Sequence, residues 1–181
     1  MIDLEAEYRR VATTQSDINE HVPTLRYFAS RCALVTELGT GNGNSTIALM
    51  AARPIRLVSY DVTRGPMVAH VEAVARACGI DFTFRHENPS APRATAAIDM
   101  TDFLFVDTDH YAEQCARELA LHAGVVTKYI GFHDTTTFWE VGQGLLPGLR
   151  YAIEPFLATH PEWREAYRAE NCNGLMILER A

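Results

Sequence analysis

Two short polar motifs carry the side chains best suited to chemistry, and each one ends or follows an apolar, strand-like run. One is Asp-Thr-Asp-His at 107–110, and the other is His-Asp at 133–134. Two carboxylates and an imidazole in one crevice can hold an octahedral divalent cation, with Asp107 and Asp134 as its ligands. A neutral imidazole at His110 would then remove a proton from a substrate hydroxyl, whose pKa the cation lowers.

Both motifs also allow a purely structural interpretation. Asp109 or a neighbour could cap the helix that follows, and His133 could be a core histidine. Histidine is a softer ligand than carboxylate for Mg²⁺, so His133 as a third ligand allows Mn²⁺, or no metal at all. We predict Asp107, Asp134 and His133 as metal ligands, and His110 and Asp107 as catalytic residues. If His110 is not the base, Asp109 or His133 comes next.

A second candidate site is the glycine-rich loop Glu-Leu-Gly-Thr-Gly-Asn-Gly at 37–43. Glycines let a backbone turn sharply and approach a ligand closely. No Gly-Lys-Ser/Thr follows, and Asn44 stands where a dinucleotide fingerprint has its third glycine, so the loop suits a nucleoside better than a pyrophosphate. Asp61 lies 22 positions after Gly39, a spacing that suits hydrogen bonds to ribose hydroxyls. The structural alternative is a turn followed by an ordinary strand-end aspartate.

These candidates fall at the ends of predicted strands. Short apolar or alternating runs predict strands over 33–39, 56–62, 81–87, 102–108 and 128–134. Helical periodicity, caps and glycine stops predict helices over 44–52, 66–79, 111–124 and 149–160, and residues 88–98 are expected to form a loop. Strands that alternate with helices imply a parallel sheet covered on both faces. Because ligands bind beyond the carboxyl ends of such strands, the candidates should share one crevice.

The end of the chain carries an antiparallel signal, since Asn173-Gly174 separates two β-like runs as in a hairpin. We therefore expect an α/β fold: a Rossmann-like, doubly wound sheet of about seven strands. It should be mostly parallel, with a C-terminal antiparallel hairpin and helices on both faces. We expect a single domain over 1–181, with an N-terminal helical flap at 1–31 and a cofactor-binding core at 32–181.

The flap should consist of two helices. The first is predicted over 4–12 and the second over 18–30. Ser16 or Asp17 is the expected cap of the second helix, and Pro23 lies near its first turn, where proline is tolerated.

Composition bounds the class of protein. The chain has 181 residues, of which 48% are hydrophobic and 22% charged, values of an ordinary globular protein. Its formal net charge of −7 argues against bulk binding to nucleic acid or to an anionic membrane. The first residues lack a signal-peptide core, and no apolar run approaches a membrane span. Four widely spaced cysteines predict buried, reduced thiols and a cytoplasmic location; a homo-oligomer stays open.

The loop at 37–43, the acid at Asp61 and the predicted strand pattern together resemble the class I S-adenosylmethionine-dependent methyltransferases. The resemblance implies that Gly39 and Gly41 line the methionine portion of the cofactor, that Asp61 holds the ribose, and that residues 87–88 lie near the adenine. The full set of cofactor-binding residues expected from it is Glu37, Gly39, Thr40, Gly41, Asn42, Ser45, Asp61, Val62, Glu87, Asn88 and Asp107.

Asp-x-x-His-Tyr at 107–111, followed by an amphipathic helix and a strand ending in His-Asp-Thr, is similar to a subgroup of small-molecule O-methyltransferases. The subgroup includes macrolide-sugar methyltransferases and cephalosporin hydroxylase-like proteins. It implies that Asp107 and Asp134 bind magnesium and that His110 is the base. His133 departs from the pattern, because an acid often stands there.

The resemblance implies an O-methyltransferase that acts on a small hydroxylated acceptor: a sugar, a phenol or a natural product. It also implies that segment 16–21 closes over the cofactor, with Ile18 as an apolar contact. A glycine-bounded loop with Phe138 and Trp139 could cover the acceptor. The alternatives are N-methylation, a nucleoside-cofactor-binding protein without methyl transfer, and an NAD-dependent oxidoreductase, which Asn44 disfavours.

Overall fold

The computed structural model describes residues 2–95 and 97–181, so residues 1 and 96 lie outside the described part of the predicted flap and loop. The strands of the described chain are β1 (Leu34–Leu38), β2 (Arg56–Asp61), β3 (Phe82–His86), β4 (Thr101–Val106), β5 (Val126–His133), β6 (Trp163–Ala169) and β7 (Leu175–Arg180). Its α-helices are α1 (Leu4–Thr13), α2 (Val22–Ala29), α3 (Asn44–Ala51), α4 (Pro66–Cys78), α5 (Ala112–His122) and α6 (Arg150–Thr159).

The strands form one sheet in the order β3-β2-β1-β4-β5-β7-β6. The first five pair in parallel, while β7 pairs antiparallel with both β5 and β6. This arrangement confirms the predicted doubly wound sheet with its C-terminal hairpin. The strand order reverses between β1 and β4, and that switch point is where such sheets open a ligand crevice.

The period-two alternation of β4 shows why helices cover both faces. Phe103 packs into an apolar cluster with side chains of α1 to α4, whereas Leu104 packs into a second cluster with α5 and α6. Successive side chains of a strand point to opposite faces, so a continuous apolar run needs a helical layer on each side. The crevice is therefore held between two well-packed layers.

The N-terminal segment is docked onto α3 through apolar contacts, and one expectation about it is wrong. A 3₁₀ turn at Asn19–His21 precedes α2, which starts without a side-chain cap, although Pro23 does lie in its first turn. Ser16 instead accepts a hydrogen bond from the Ile18 amide at 3.4 Å, so its hydroxyl serves the preceding turn. Ile18 is buried in the core cluster and is not among the residues of the cavity described below.

The hairpin between β6 and β7 turns where the Asn-Gly pair predicts. Cys172, Asn173 and Gly174 have φ values of +48°, +69° and +97°. The Asn173 carbonyl accepts hydrogen bonds from the amides of Thr136 (2.8 Å) and Thr137 (3.1 Å). The turn is thereby tied to the loop that leaves β5 at the crevice.

Among the described residues, no helix is both long enough and apolar enough to cross a membrane. The four cysteines are free, as expected. Cys32 and Cys115 are buried, but Cys78 and Cys172 are partly exposed, so the expectation of four buried thiols is wrong for the last two. The division into flap and core stays a prediction.

Candidate functional site

The glycine-rich loop and the Asp-x-x-His motif meet at the junction of β1 and β4. The Asp107 amide donates to the Leu38 carbonyl at 2.8 Å, which continues the parallel ladder beyond both strands. Gly39 has φ +94°, and a Cβ on it would lie 1.8 Å from the Asp107 carbonyl oxygen. Only glycine permits this approach, so the glycine loop begins directly beside the Asp-x-x-His motif.

Asp61 holds the glycine loop in place. Its Oδ2 accepts hydrogen bonds from the amides of Thr40 (3.0 Å) and Gly41 (2.9 Å), and its Oδ1 accepts one from Thr63 (2.7 Å). A carboxylate has about four lone-pair sites, so it can accept a further donor. The ribose contact of Asp61 stays a prediction, and ordering the loop is a role that the sequence did not reveal.

Glu37 lies beneath the loop, fully buried. Its Oε2 accepts hydrogen bonds from the hydroxyls of Thr46 (2.6 Å) and Ser59. Burial raises the pKa of Glu37 to about 7, despite these hydrogen bonds. Ser45 is also buried at the start of α3. Both side chains therefore support the loop from below, away from the wall that a ligand would touch.

A cavity of about 220 Å³ opens at the carboxyl ends of β1, β2 and β4. The predicted cofactor residues on its wall are Gly39, Asp61, Val62, Glu87, Asn88 and Asp107. Those not on its wall are Glu37, Thr40, Gly41, Asn42 and Ser45. Leu38, Thr108 and Asp109 on the wall belong to the two predicted motifs, although not to the predicted cofactor set. The wall residues that sequence reasoning missed are Tyr60, Pro89, Ser90, Gln114 and Glu118. Gln114 and Glu118 were detectable in principle, because they interrupt the apolar face of α5.

Four ionisable side chains converge beside the cavity, at the ends of β4 and β5. Nε2 of His110 lies 2.8 Å from Oδ2 of Asp134 and 3.3 Å from Oδ1 of Asp107. Nδ1 of His133 lies 3.3 Å from Oδ1 of Asp107 and 3.4 Å from Oδ2 of Asp134. The structure thus brings together the four residues of the two motifs that are predicted as metal ligands or catalytic groups, and we call them the Asp–His cluster.

The Asp–His cluster is charged. Burial lowers the pKa of His110, but its hydrogen bonds with Asp107 and Asp134 outweigh this and raise the pKa to about 9. Burial opposes the charge of His133 too, yet the same carboxylates raise its pKa to about 11. Nε2 of His133 also faces the carbonyl oxygen of Asp17 at 3.0 Å, so both of its ring nitrogens face acceptors. In this arrangement the two carboxylates favour the protonated form of His110, whereas the sequence-based expectation is a neutral ring near pH 7.

The donor set of the cluster fits a divalent cation in part. One ligand atom each from Asp107, His110 and Asp134 lies within 4.8 Å of the others. Oδ1 of Asp134 is buried without a hydrogen-bond partner among the described residues, and Asp134 has the strained φ of +59°. His133 fits poorly as a ligand, because its Nδ1 serves as a donor to the carboxylates. The two aspartates are thus the better-placed metal ligands.

The loop after β5 is attached to His110. The Gln143 amide donates to the His110 carbonyl at 3.0 Å, and the His110 amide donates to the Gln143 side chain at 3.2 Å. Phe138 stacks on the His110 ring with 4.9 Å between centroids and 8° between planes. The Arg168 guanidinium lies over the Trp139 ring at 4.6 Å. Phe138 thus orients the imidazole, while Trp139 packs against the sheet edge.

No protein-family model matches the sequence, and no curated protein matches it either. Solved structures do match, and those named here align with 98% of this chain at 15% identity. One is the SAH-bound methyltransferase PaMTH1 of Podospora anserina, of which 87% is covered with a TM-score of 0.61. The second is a Klebsiella pneumoniae protein described as a candidate O-methyltransferase, of which 87% is covered with a TM-score of 0.66. The third is the N-methyltransferase NodS of Bradyrhizobium japonicum in complex with S-adenosyl-L-homocysteine, of which 96% is covered with a TM-score of 0.63.

The fold is therefore that of the class I S-adenosylmethionine-dependent methyltransferases. At this identity the likeness shows the fold alone. The matched structures include both an N-methyltransferase and a candidate O-methyltransferase, so the fold does not select the atom that is methylated.

Proposed function

We propose that this protein transfers a methyl group from S-adenosylmethionine to a hydroxyl oxygen of a small molecule, such as a sugar, a phenol or another natural product. One observation carries the proposal: Asp107 belongs to both halves of the crevice. It lines the cavity beside Gly39, and its carboxylate lies 3.3 Å from the ring of His110. The nucleoside cofactor would thus bind on one side of Asp107, and the proton-transfer group, His110, lies on the other side.

The chain's own part in the reaction is to position the hydroxyl and to receive its proton. When bound, S-adenosylmethionine supplies an electrophilic methyl carbon; the hydroxyl oxygen bonds to this carbon in line as the carbon–sulfur bond breaks. We assign the proton to the neutral form of His110, because Asp107 and Asp134, at 3.3 and 2.8 Å, stabilise the imidazolium that results. Phe138 holds the ring in position by stacking.

A divalent cation, Mg²⁺ or Mn²⁺, is part of the proposal. Asp107 and Asp134 would hold it, and the unpartnered Oδ1 of Asp134 supports this assignment. Such an ion would lower the pKa of the acceptor hydroxyl and would neutralise part of the charge of Asp107 and Asp134. His110 would then face less negative charge, its pKa would fall from about 9, and more of it would be neutral at pH 7 and able to take the proton.

The loop attached to His110 favours an acceptor with an apolar part. Val141, Leu145 and Leu146 are exposed there, Leu145 to 90%. Leu145 also has φ +62°, an unfavourable conformation for a bulky residue. The loop thus presents an apolar side chain to solvent at a cost in both hydration and strain. We propose that this apolar surface contacts the acceptor.

Calorimetry with S-adenosylhomocysteine and with NAD tests the cofactor. The proposal expects binding of S-adenosylhomocysteine and none of NAD; the reverse result would establish the oxidoreductase alternative. Because a ligand of the native state raises apparent stability, a thermal shift gives an independent check.

Methyl transfer is tested by a screen with labelled S-adenosylmethionine against hydroxylated sugars, phenols and amines. The proposal expects label on oxygen, and label on amines alone would replace it by N-methylation. A protein that binds S-adenosylhomocysteine but methylates nothing supports the binding-protein alternative. For the metal, manganese-soaked crystals should show an anomalous peak about 2.0–2.3 Å from oxygens of Asp107 and Asp134. A peak elsewhere contradicts the metal site.

A further inference from the structure

The face of α5 that packs toward the cavity carries polar residues where apolar ones are expected. Gln114, Glu118 and His122 are four residues apart, and all three are buried. Residues at this spacing lie on one face of a helix. Buried polar side chains need partners, and such a row on a core-facing surface requires an explanation in each case.

His122 anchors a wall of the cavity. Its Nδ1 accepts from the Ile98 amide at 3.4 Å, and its Nε2 lies 2.9 Å from the Ser90 hydroxyl. Burial lowers the pKa of His122 to about 4, so the ring is neutral and can pair in this way. The loop that contains Ser90 is thereby tied to α5, and Ser90 lines the cavity. His122 thus has a structural explanation.

Gln114 and Thr108 both donate to the same oxygen of Glu118. The Gln114 amide nitrogen lies 2.8 Å and the Thr108 hydroxyl 2.7 Å from Oε1 of Glu118. The amide oxygen of Gln114 accepts from Arg117 at 3.1 Å, which fixes the amide so that its nitrogen faces Glu118. Oε1 of Glu118 is therefore fully used.

Oε2 of Glu118 has no such partner. It is buried and makes no hydrogen bond with any of the described residues, and the whole residue is only 2% exposed. Burial raises the pKa of Glu118 to about 7. An unsatisfied buried oxygen is costly, so a donor supplied by a ligand would relieve it. Glu118 lines the cavity together with Gln114 and Thr108.

We infer that Oε2 of Glu118 accepts a hydrogen bond from the 6-amino group of the cofactor's adenine, which selects a 6-aminopurine. The inference rests on the proposed function for the nucleoside. It follows from complementarity: Gln114 and Thr108 hold Oε1, so above pH 7, where Glu118 is a carboxylate, the atom left for a ligand is an acceptor. A 6-amino group is a donor, whereas the 6-oxo group of hypoxanthine would place one acceptor against another.

The wild-type protein alone provides a test. Calorimetry at about pH 8.5, where Glu118 is ionised, compares S-adenosylhomocysteine with S-inosylhomocysteine, which differs in its 6-oxo base, and with the N6,N6-dimethyl analogue, which has no amino hydrogen. A site built around a hydrogen bond rejects an analogue that cannot make it, so we expect both analogues to bind about tenfold or more weakly. Equal affinity for S-adenosylhomocysteine and S-inosylhomocysteine overturns the inference.

Glu118→Gln sharpens the test. Thr108 and Gln114 would retain the amide oxygen of the variant, which leaves an N–H facing the ligand. The preference for S-adenosylhomocysteine over S-inosylhomocysteine should then fall to about threefold or less, or reverse. Glu154→Gln, an exposed change on α6, should leave the preference intact. Melting curves establish that both variants are folded.

The outcomes separate the two proposals. If the wild-type protein binds S-adenosylhomocysteine and a folded Glu118→Gln variant keeps the full preference, only the role of Glu118 is overturned. If the wild-type protein binds neither nucleoside, the proposed function fails, and this inference fails with it. If the variant does not fold, the comparison of the three ligands on the wild-type protein decides.

Discussion

The acidic side chains on the two sides of the crevice have different kinds of partner. On the β1–β2 side, Glu37 and Asp61 receive hydrogen bonds from hydroxyls and backbone amides, and neither forms an ion pair with any of the described residues. On the β4–β5 side, Asp107 and Asp134 pair with the two imidazolium rings of the Asp–His cluster. The first side is organised by neutral donors, whereas the second holds opposite charges close together in a partly buried place.

Under the proposed function, this difference assigns cofactor binding to the β1–β2 side and proton transfer to the β4–β5 side. Neutral donors form a rigid cradle whose charge changes little when a ligand arrives. Paired charges can exchange a proton or accept a cation with little movement of the backbone. Changes on the β1–β2 side should therefore affect cofactor affinity and stability, and changes on the β4–β5 side should affect turnover.

The largest expected effect is on turnover. His110→Ala should lower the rate of methyl transfer by about 10²–10⁴-fold, the usual contribution of a positioned acid or base. Affinity for S-adenosylhomocysteine should change little, because His110 is not part of the cavity wall. The control is His160→Ala, a histidine that stacks on Phe156 at the end of α6. Full activity of the His110 variant with the best acceptor would remove it from the mechanism.

The next effect is on stability, and it concerns the contact between Gly39 on one side of the crevice and Asp107 on the other. Gly39→Ala would place a Cβ 1.8 Å from the Asp107 carbonyl oxygen at φ +94°. Overpacking and backbone strain together should destabilise the fold by about 2–4 kcal/mol, measured by urea unfolding. Gly41→Ala is the matched control: its Cβ meets nothing within 4 Å, so only the strain of its φ of +47° remains. Equal losses in the two variants would show that the contact with Asp107 is unimportant.

A third effect concerns pH. In the unfolded chain Glu37 loses its proton near its ordinary pKa of 4.5, whereas the folded protein keeps it up to about pH 7. The folded state thus binds more protons in this window, so the contribution is present below pH 4.5 and is lost as pH rises through 7. Glu37→Gln should gain up to about 3 kcal/mol relative to the wild type between pH 5 and 8. Parallel stability curves for the two proteins would contradict the buried, protonated acid.

The smallest effect is on cofactor affinity, and it concerns Asp61, which holds the glycine loop. Asp61→Ala should weaken the binding of S-adenosylhomocysteine by about 1.5–3 kcal/mol, as expected for the loss of charge-assisted hydrogen bonds. The loop amides of Thr40 and Gly41 lose their partner in this variant too. Asp81→Ala, an exposed aspartate before β3, serves as the control. Unchanged affinity in calorimetry would leave Asp61 with the loop-ordering role alone.

Local rules were enough for most of the fold. The alternation of strands and helices, the Gly39 turn and the hairpin at Asn173-Gly174 depend on neighbouring residues, on period-two or helical patterning, and on positive φ. The predicted elements therefore match the structure to within a few residues. The cap of α2 could not be predicted so well, because a 3₁₀ turn took the expected position.

The sequence by itself also determined that Asp107, His110 and Asp134 meet, since the carboxyl ends of adjacent parallel strands share one edge. Tertiary structure alone decided their protonation: the charge of His133 depends on carboxylates from two strands and on a carbonyl of the N-terminal segment. It also determines that Oε2 of Glu118 has no hydrogen-bond partner among the described residues. Burial and hydrogen-bond partners come from segments far apart in the chain, and spacing along a sequence does not encode which atoms remain unpaired.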